Sequence, residues 1–298
     1  MTSDQILQPD ETTADFGGLR IAWDARVLRP RPWTTEQSRW LADLSTGAPE
    51  GRILELCCGA GQIGLLAARL TGRSLVQVDR DPVAAAYARR NAEEAQISAD
   101  VRQVEAVAAL EPGERFPLVL VDPPWLATSE LARFPDDPAG AVDGGVDGLA
   151  AVRECLRVAL DHCQDDGHVV LQVGSSEQAS AVADLLRWNA LDGARGWEIR
   201  GIRACSPGGV LVHIGTAAGD ARAERARTEH ARGDAGDESS AGQLSEVASF
   251  EGAGGPIFPA DATAGYPLGA DEGADGVQEG AAGPEAPPRD DDRGRRSR

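Results

Sequence analysis

The chain has 298 residues and a formal net charge of −19. Residues 218–298 hold 17 acids and nine arginines, which leaves a net −11 on residues 1–217. A body that acidic excludes broad phosphate binding, which needs clustered cations. A local basic patch stays open where Arg20, Arg26, Arg29, Arg31 and Arg39 crowd the N-terminal region, although ordinary solvated surface explains them equally. All 29 basic residues are arginine, so lysine Schiff-base chemistry and a P-loop lysine are excluded.

The composition also divides the chain. From about Ala218 to Arg298 it is mostly Ala, Gly, Asp, Glu, Arg, Pro and Ser, with a few scattered large apolar residues. Such a segment buries too little to offset roughly 1–2 kcal/mol of backbone entropy per residue. The expected organisation is a flexible N-terminus over 1–15, one folded domain over 16–217 and a disordered acidic tail over 218–298. Cys57, Cys58, Cys155, Cys163 and Cys205 form no CxxC pair, so no zinc or redox motif is expected. The N-terminus has neither a basic start nor an apolar core, and no stretch approaches the roughly 20 apolar residues of a membrane span. A soluble, cytoplasmic setting fits these features.

In chain order, RILEL (52–56) predicts a buried strand and QIGLLAARL (62–70) a helix ending at Thr71-Gly72. SLVQVD (74–79) predicts a strand, and Pro82 opens a helix over 83–95. VRQV (101–104) and PLVLVD (117–122) predict two more strands. A helix over 147–164, a strand over 168–173 and a helix over 177–190 follow. WEIRGIRA (197–204) and GVLVHIG (209–215) then predict an antiparallel pair around Ser206-Pro207-Gly208. Alternation of this kind indicates βαβ units and a parallel sheet with helices on both faces. Ligands of such sheets bind beyond the carboxyl ends of the strands.

Three acidic strand ends stand out. LELCCGAGQIG (54–64) contains Gly59-x-Gly61-x-x-Gly64, a weak signal that nicotinamide and flavin enzymes share. Glu55, near the end of the strand before it, would repel a pyrophosphate. It would suit a cofactor with an ammonium and a sulfonium, the chemistry of S-adenosylmethionine; the alternative is a hydrogen bond to nearby turn amides. Asp79 can accept both hydroxyls of a ribose, or cap the helix at Pro82, for which Asp81 is better placed. Cys57 and Cys58 read as small residues in a crowded loop and not as nucleophiles.

The third acidic end is Asp122-Pro123-Pro124-Trp125. Two acceptors in a fork can grip the N–H bonds of an NH₂ group and leave its lone pair facing an electrophile. Asp122 offers its carboxylate, and the Pro123 carbonyl offers a second acceptor because Pro124 holds the preceding residue extended. Neither proline has an N–H to donate, and Trp125 offers a flat apolar face to a planar target. The bland alternative is a rigid turn with a core tryptophan.

Together these stretches resemble the class I S-adenosylmethionine-dependent methyltransferases, and within them the HemK-type protein-glutamine N5-methyltransferases. LELCCGAGQIG is similar to that family's cofactor loop and VDRDPVAAAYARRNAE to its second motif. DPPW stands where the family has Asn-Pro-Pro-Tyr, and DGGVDGLAAVREC (143–155) is similar to its DGG-x-DGL segment. LQVGSSEQASAVADLL (171–186) and GGLRIAWDARVLRPRPWTTEQ (17–37) resemble further family segments.

The resemblance, over about residues 16–215, implies a Rossmann-like, mostly parallel seven-stranded sheet with an antiparallel C-terminal hairpin. It implies S-adenosylmethionine held by Glu55, Cys57, Gly59, Gly61, Asp79, Arg80 and Asp122, with Asp122, Pro123, Pro124 and Trp125 carrying catalysis and no metal. The implied acceptor is a planar NH₂ group on a protein glutamine, as in a release factor, or on a nucleobase; no membrane partner is expected. Asp143, Asp147 and Arg153 would shape the substrate loop, with helix capping an equal alternative for Asp147. The four histidines receive no catalytic role.

Four departures sharpen the expectation. Only about 15 residues stand where the family carries a helical substrate-docking domain. Aspartate replaces the usual asparagine, and tryptophan the tyrosine. The acid expected to hold the adenine amine falls at Val107, with Glu105 and Glu111 nearby. A carboxylate only accepts, whereas an asparagine also donates to an amide carbonyl, so Asp122 suits an exocyclic amine at least as well as a glutamine. A small-molecule acceptor and a catalytically silent cofactor-binding protein remain alternatives. Glu55 and the loop spacing disfavour a nicotinamide oxidoreductase.

Overall fold

The computed structural model describes residues 11–187, 196–205 and 208–217. The chain opens with a hairpin, β1 (Thr12–Phe16) and β2 (Leu19–Trp23), paired antiparallel. Its turn is Gly17-Gly18, both with positive φ (59° and 80°), a two-residue turn only glycine-like residues accept readily. Phe16, Leu19 and Ile21 are buried in the same apolar cluster as Leu66. The Asn91 side chain clamps β2 by accepting from the Ala22 N–H (2.8 Å) and donating to its carbonyl (3.0 Å). This hairpin is absent from the sequence expectation above.

Helix α1 (Thr35–Ser45) leads into β3 (Ile53–Leu56), α2 (Gln62–Thr71), β4 (Leu75–Asp79), α3 (Pro82–Ala95) and β5 (Ala99–Gln103). Asp81 caps α3 by accepting from the Val83 and Ala84 N–H groups, with Pro82 in its first turn, so the cap belongs to Asp81 and not to Asp79. Then come β6 (Phe116–Val121), α4 (Ala150–His162), β7 (Cys163–Val173), α5 (Ser176–Arg187), β8 (Glu198–Ala204) and β9 (Val210–Gly215). Helix α4 starts at Ala150 instead of 147 and stops at His162, because the chain passes directly into a β7 that is eleven residues long. The polar stretch Cys163–Gly167 carries no strand signal of its own. The predicted helix end at 188–190, Ser206, Pro207, residues 1–10 of the expected flexible segment 1–15 and the expected tail 218–298 lie outside the described residues, while Thr12–Asp15 of the first segment pair within β1.

The seven-stranded sheet has the order β5-β4-β3-β6-β7-β9-β8. Strands β5 to β7 are parallel, and β9 runs antiparallel between β7 and β8. Helices cover both faces: α4 and α5 pack with one apolar cluster, and α1, α2, α3 and the hairpin with the other. The chain runs β3 to β4 to β5 outward and then returns to place β6 on the other side of β3. That reversal is a topological switch point, where the loops diverge and leave a crevice. Glu55 lies on β3 and Asp122 directly after β6, the two strands that flank it. Among the described residues no helix is long and apolar enough to cross a membrane.

Candidate active site

The loop after β3 is built around Glu55. Its side chain is 1% exposed. One oxygen accepts from the Gly64 N–H at 2.9 Å and the other from Gln77 Nε2 at 2.6 Å. A Cβ on Gly64 would fall against the Glu55 carboxyl and against Leu75, so the third glycine of the loop is required by close approach. Burial pushes the Glu55 carboxyl up to about 8, against the opposing hydrogen bonds from Gln77 and Gly64. Of the two roles open to Glu55, the structure shows the bond to a turn amide. It lies behind the loop and is not part of a cavity wall. Gly61 is behind the loop as well, its carbonyl accepting from Gln77 Nε2 at 3.0 Å.

In front of the loop lies a cavity of about 690 Å³, within the roughly 300–1,000 Å³ usual for small-molecule sites. Cys57, Gly59, Asp79, Arg80 and Asp122 line it. Asp79 accepts from the Gly59 N–H at 2.8 Å and from the Asp81 N–H at 2.9 Å, so one carboxylate braces both loops. Burial raises its pKa, with those two amides opposing. The Cys57 and Cys155 sulfurs are 3.5 Å apart. That contact, then burial, raises the Cys57 pKa, which fits a packing residue and not a nucleophile.

The position beyond β5 that lacks an acid at Val107 resolves differently from the sequence register. Val107 is 52% exposed, whereas Glu105 and Ala106 line the cavity. Glu105 lies 4.0 Å from Arg80. A tight turn over Ala106–Ala108 makes this shift, and no sequence periodicity announces so short a turn.

Asp122 closes the cavity at the other strand end and also lines a second, smaller one of about 50 Å³. Pro123, Pro124 and Trp125 share this second wall. Burial raises the Asp122 carboxyl to about 7, with the Arg31 charge opposing. Arg31 is itself held by Asp137 at 2.6 Å.

The DPPW backbone is buttressed by two segments. Leu126 N–H donates to the Val142 carbonyl and Gly144 N–H to the Leu126 carbonyl. Gln178 Nε2 donates to the Trp125 carbonyl at 2.8 Å while its Oε1 accepts from the Gly174 N–H at 2.7 Å. A Cβ on Gly174 would collide with the Trp125 ring, so that glycine is what lets the indole lie against the end of β7. Asp143 accepts from Gly145 N–H and Thr128 Oγ1. Asp147 accepts from Leu149 N–H and pairs with Arg153, just ahead of α4 and outside its cap position.

Most of the N-terminal arginines are paired: Arg20 with Glu94, Arg26 with Asp24, Arg31 with Asp137 and Arg39 with Glu36. His168 and His213 face each other at 3.1 Å, and His162 meets the Glu114 carbonyl. His168 opens the stretch of β7 that pairs with β6 and β9, at the strand end remote from Asp122, and His230 lies outside the described residues.

Sequence reasoning missed Gln62 and Gln172, which line the small cavity beside Asp122. The signal was a glutamine inside the apolar run HVVLQV, at a strand position whose neighbours are all buried.

The sheet order, the switch point and the glycine loop define a Rossmann-like methyltransferase fold. A family model of the methyltransferase small domain matches residues 37–133. By sequence the chain is similar to curated glutamine methyltransferases. It is 30% identical over 182 residues to a release factor glutamine methyltransferase of Gloeobacter violaceus, covering 59% of this chain and 64% of that protein. It is 31% identical over 175 residues to a ribosomal protein uL3 glutamine methyltransferase of Bradyrhizobium diazoefficiens, covering 54% and 55%. The chain thus spans between about half and two thirds of the length of these relatives. Among solved structures, the hMettl16 catalytic domain bound to an RNA hairpin superposes with a TM-score of 0.51 at 15% identity, over 66% of this chain and 76% of that one. That likeness concerns the fold.

Proposed function

We propose that this chain is a cytoplasmic S-adenosylmethionine-dependent N-methyltransferase whose acceptor is the side-chain amide of a protein glutamine. The observation that carries the proposal is the Asp122 carboxyl at the switch point, between a cavity of ligand size and the small DPPW-lined cavity. Neither it nor the Pro123 carbonyl accepts a hydrogen bond among the described residues. Two unclaimed acceptors side by side match the two N–H bonds of an NH₂ group.

The residues present fit the cofactor. Asp79 would take the ribose hydroxyls, the backbone around Cys57 and Gly59 would line the amino-acid portion, and Glu105 with Ala106 would meet the adenine. Arg80 and Cys57 complete the walls. When bound, S-adenosylmethionine supplies an electrophilic methyl carbon on a sulfonium. The chain's task is then positional: Asp122 and the Pro123 carbonyl hold the acceptor nitrogen with its lone pair toward that carbon. Such orientation can remove ~7–11 kcal/mol of barrier. The prolines keep competing donors away, and Trp125 excludes water from one side of the planar group.

The sequence relatives, named for release factor and uL3 glutamines, support the glutamine reading. A specific observation supports a second one: an ionised Asp122 only accepts, and an exocyclic nucleobase amine asks for no donor from that residue. Incubation of the protein with methyl-labelled cofactor and fractionated bacterial extract separates the two. The glutamine reading expects label in protein, released as methylamine on acid hydrolysis. Label confined to RNA would favour the nucleobase, and no label in any fraction would refute methyl transfer.

A further inference from the structure

Strands β6 and β7 run parallel with Val121 beside Leu171, so Asp122 and Gln172 come next in step. Side chains alternate along a strand and neighbouring strands lie about 4.8 Å apart. The Asp122 and Gln172 side chains therefore leave the same face of the sheet, the face that α1 and α2 cover. From the opposite wall comes Gln62, the first residue of α2. All three line the cavity of about 50 Å³ that DPPW borders.

Gln172 is 2% exposed and Gln62 8% exposed. The Oε1 atom of each is buried without a partner, and neither side-chain amide makes a hydrogen bond among the described residues. Gln37 and Gln77 also leave an Oε1 unpaired. Their Nε2 groups, however, are bonded, to the Val121 and Val170 carbonyls and to Glu55. Of these four glutamines, the two at the cavity alone are idle at both ends, so either can turn to donate or to accept. An unmade buried hydrogen bond costs roughly 1–3 kcal/mol, and two such groups facing one cavity point to an occupant that completes them.

We propose that Gln172, with Gln62 opposite, supplies the N–H that an ionised, acceptor-only Asp122 lacks, so that the three side chains together read a primary carboxamide. This rests on the N-methyltransferase reading and assigns its specificity. Asp122 and the Pro123 carbonyl take the two amide N–H bonds, and Gln172 Nε2 donates to the amide oxygen. Gln62 Oε1 or Nε2 meets whichever edge remains. A cavity needs about 10–15 Å³ per water-sized occupant, so about 50 Å³ has room for the few heavy atoms of a carboxamide head. The donor lost by having aspartate at position 122 is thus replaced from the neighbouring strand.

The test uses the full chain saturated with S-adenosylhomocysteine and acetamide as the probe, with adenine as comparator. Side-chain amide NMR signals of Gln172 and Gln62 are assigned through Gln172→Leu and Gln62→Leu. Acetamide is expected to shift both signals saturably, and adenine to leave them in place. Gln172→Leu, and Gln172→Glu as a variant that keeps the shape, should weaken acetamide binding about five-fold or more with unchanged affinity for S-adenosylhomocysteine. Adding Asp122→Asn to Gln172→Leu should restore acetamide binding. Unmoved glutamine signals, equal shifts with adenine, or wild-type acetamide affinity in both Gln172 variants would overturn the assignment. Failure of the wild type to bind S-adenosylhomocysteine would instead overturn the methyltransferase reading, and the assignment with it.

Discussion

The two sides of the switch point are prepared differently. On the β3–β4 side the acids are already occupied: Glu55 by Gly64 and Gln77, Asp79 by Gly59 and Asp81. On the β6–β7 side the half-buried Asp122 carboxyl accepts no hydrogen bond among the described residues, and the buried Gln172 amide, with Gln62 facing it from α2, is idle. The first arrangement fixes a loop before any ligand arrives, as a site built for preorganisation requires. The second stores unmet hydrogen-bonding capacity that only an acceptor with matching donors can use. Selectivity should therefore reside in the DPPW side, and rigidity in the glycine-loop side.

Breaking the idle side should give the largest effect. Asp122→Ala is expected to lower methyl transfer on the order of 10²–10³-fold, as the loss of one positioned polar group in other sites does. Breaking the braced side should act on binding instead. Asp79→Ala removes a half-buried charged acceptor worth roughly 1.5–3 kcal/mol, so calorimetry should show S-adenosylhomocysteine affinity reduced on the order of ten- to a hundred-fold. A lower Tm should accompany it, because the Gly59 and Asp81 amides lose their partner.

The two sides also titrate differently. Asp122 rises to about 7 in the folded protein. Below that pH it is a neutral acid, and above it a full acceptor. The rate of transfer per encounter should therefore climb through about pH 7, and Asp122→Asn should lose that limb of the profile. Glu55 affects stability instead. Its folded value of about 8 lies above the unfolded one near 4.5, so the native state holds a proton the unfolded state has released. Stability then falls as pH rises between those values. Thermal melts should show that decline, and Glu55→Gln should flatten it by at least ~1 kcal/mol over the window. The smallest effect is expected from removing residues 218–298: every residue around the larger cavity lies between Arg26 and Cys155, so S-adenosylhomocysteine affinity should stay as in the full chain.

Strands β3, β4 and β6 were legible because each is an apolar run closed by an acid or a glycine turn, and those closures are where the site forms. The hairpin β1–β2 was missed because TTADF and LRIAW are short and mixed, although Gly17-Gly18 between them is a hairpin turn signal. The start of β7 was missed because CQDDG has no apolar alternation to show. Glu55 carried a chemically sound expectation that burial overturned: residue type told its charge, and only packing under α2 could tell which way it faced. Gln172 was hidden for the opposite reason. Its position in an apolar strand was visible, but its relation to Asp122 exists only through the β6–β7 register. Glu105 reached the cavity through a tight turn that no periodicity reveals.

The most direct test of this division measures two quantities on one preparation of Asp122→Ala: affinity for S-adenosylhomocysteine and single-turnover methyl transfer to the labelled acceptor. The account predicts near wild-type affinity with transfer all but lost. Transfer equal to wild type, or affinity lost in step with transfer, would contradict it.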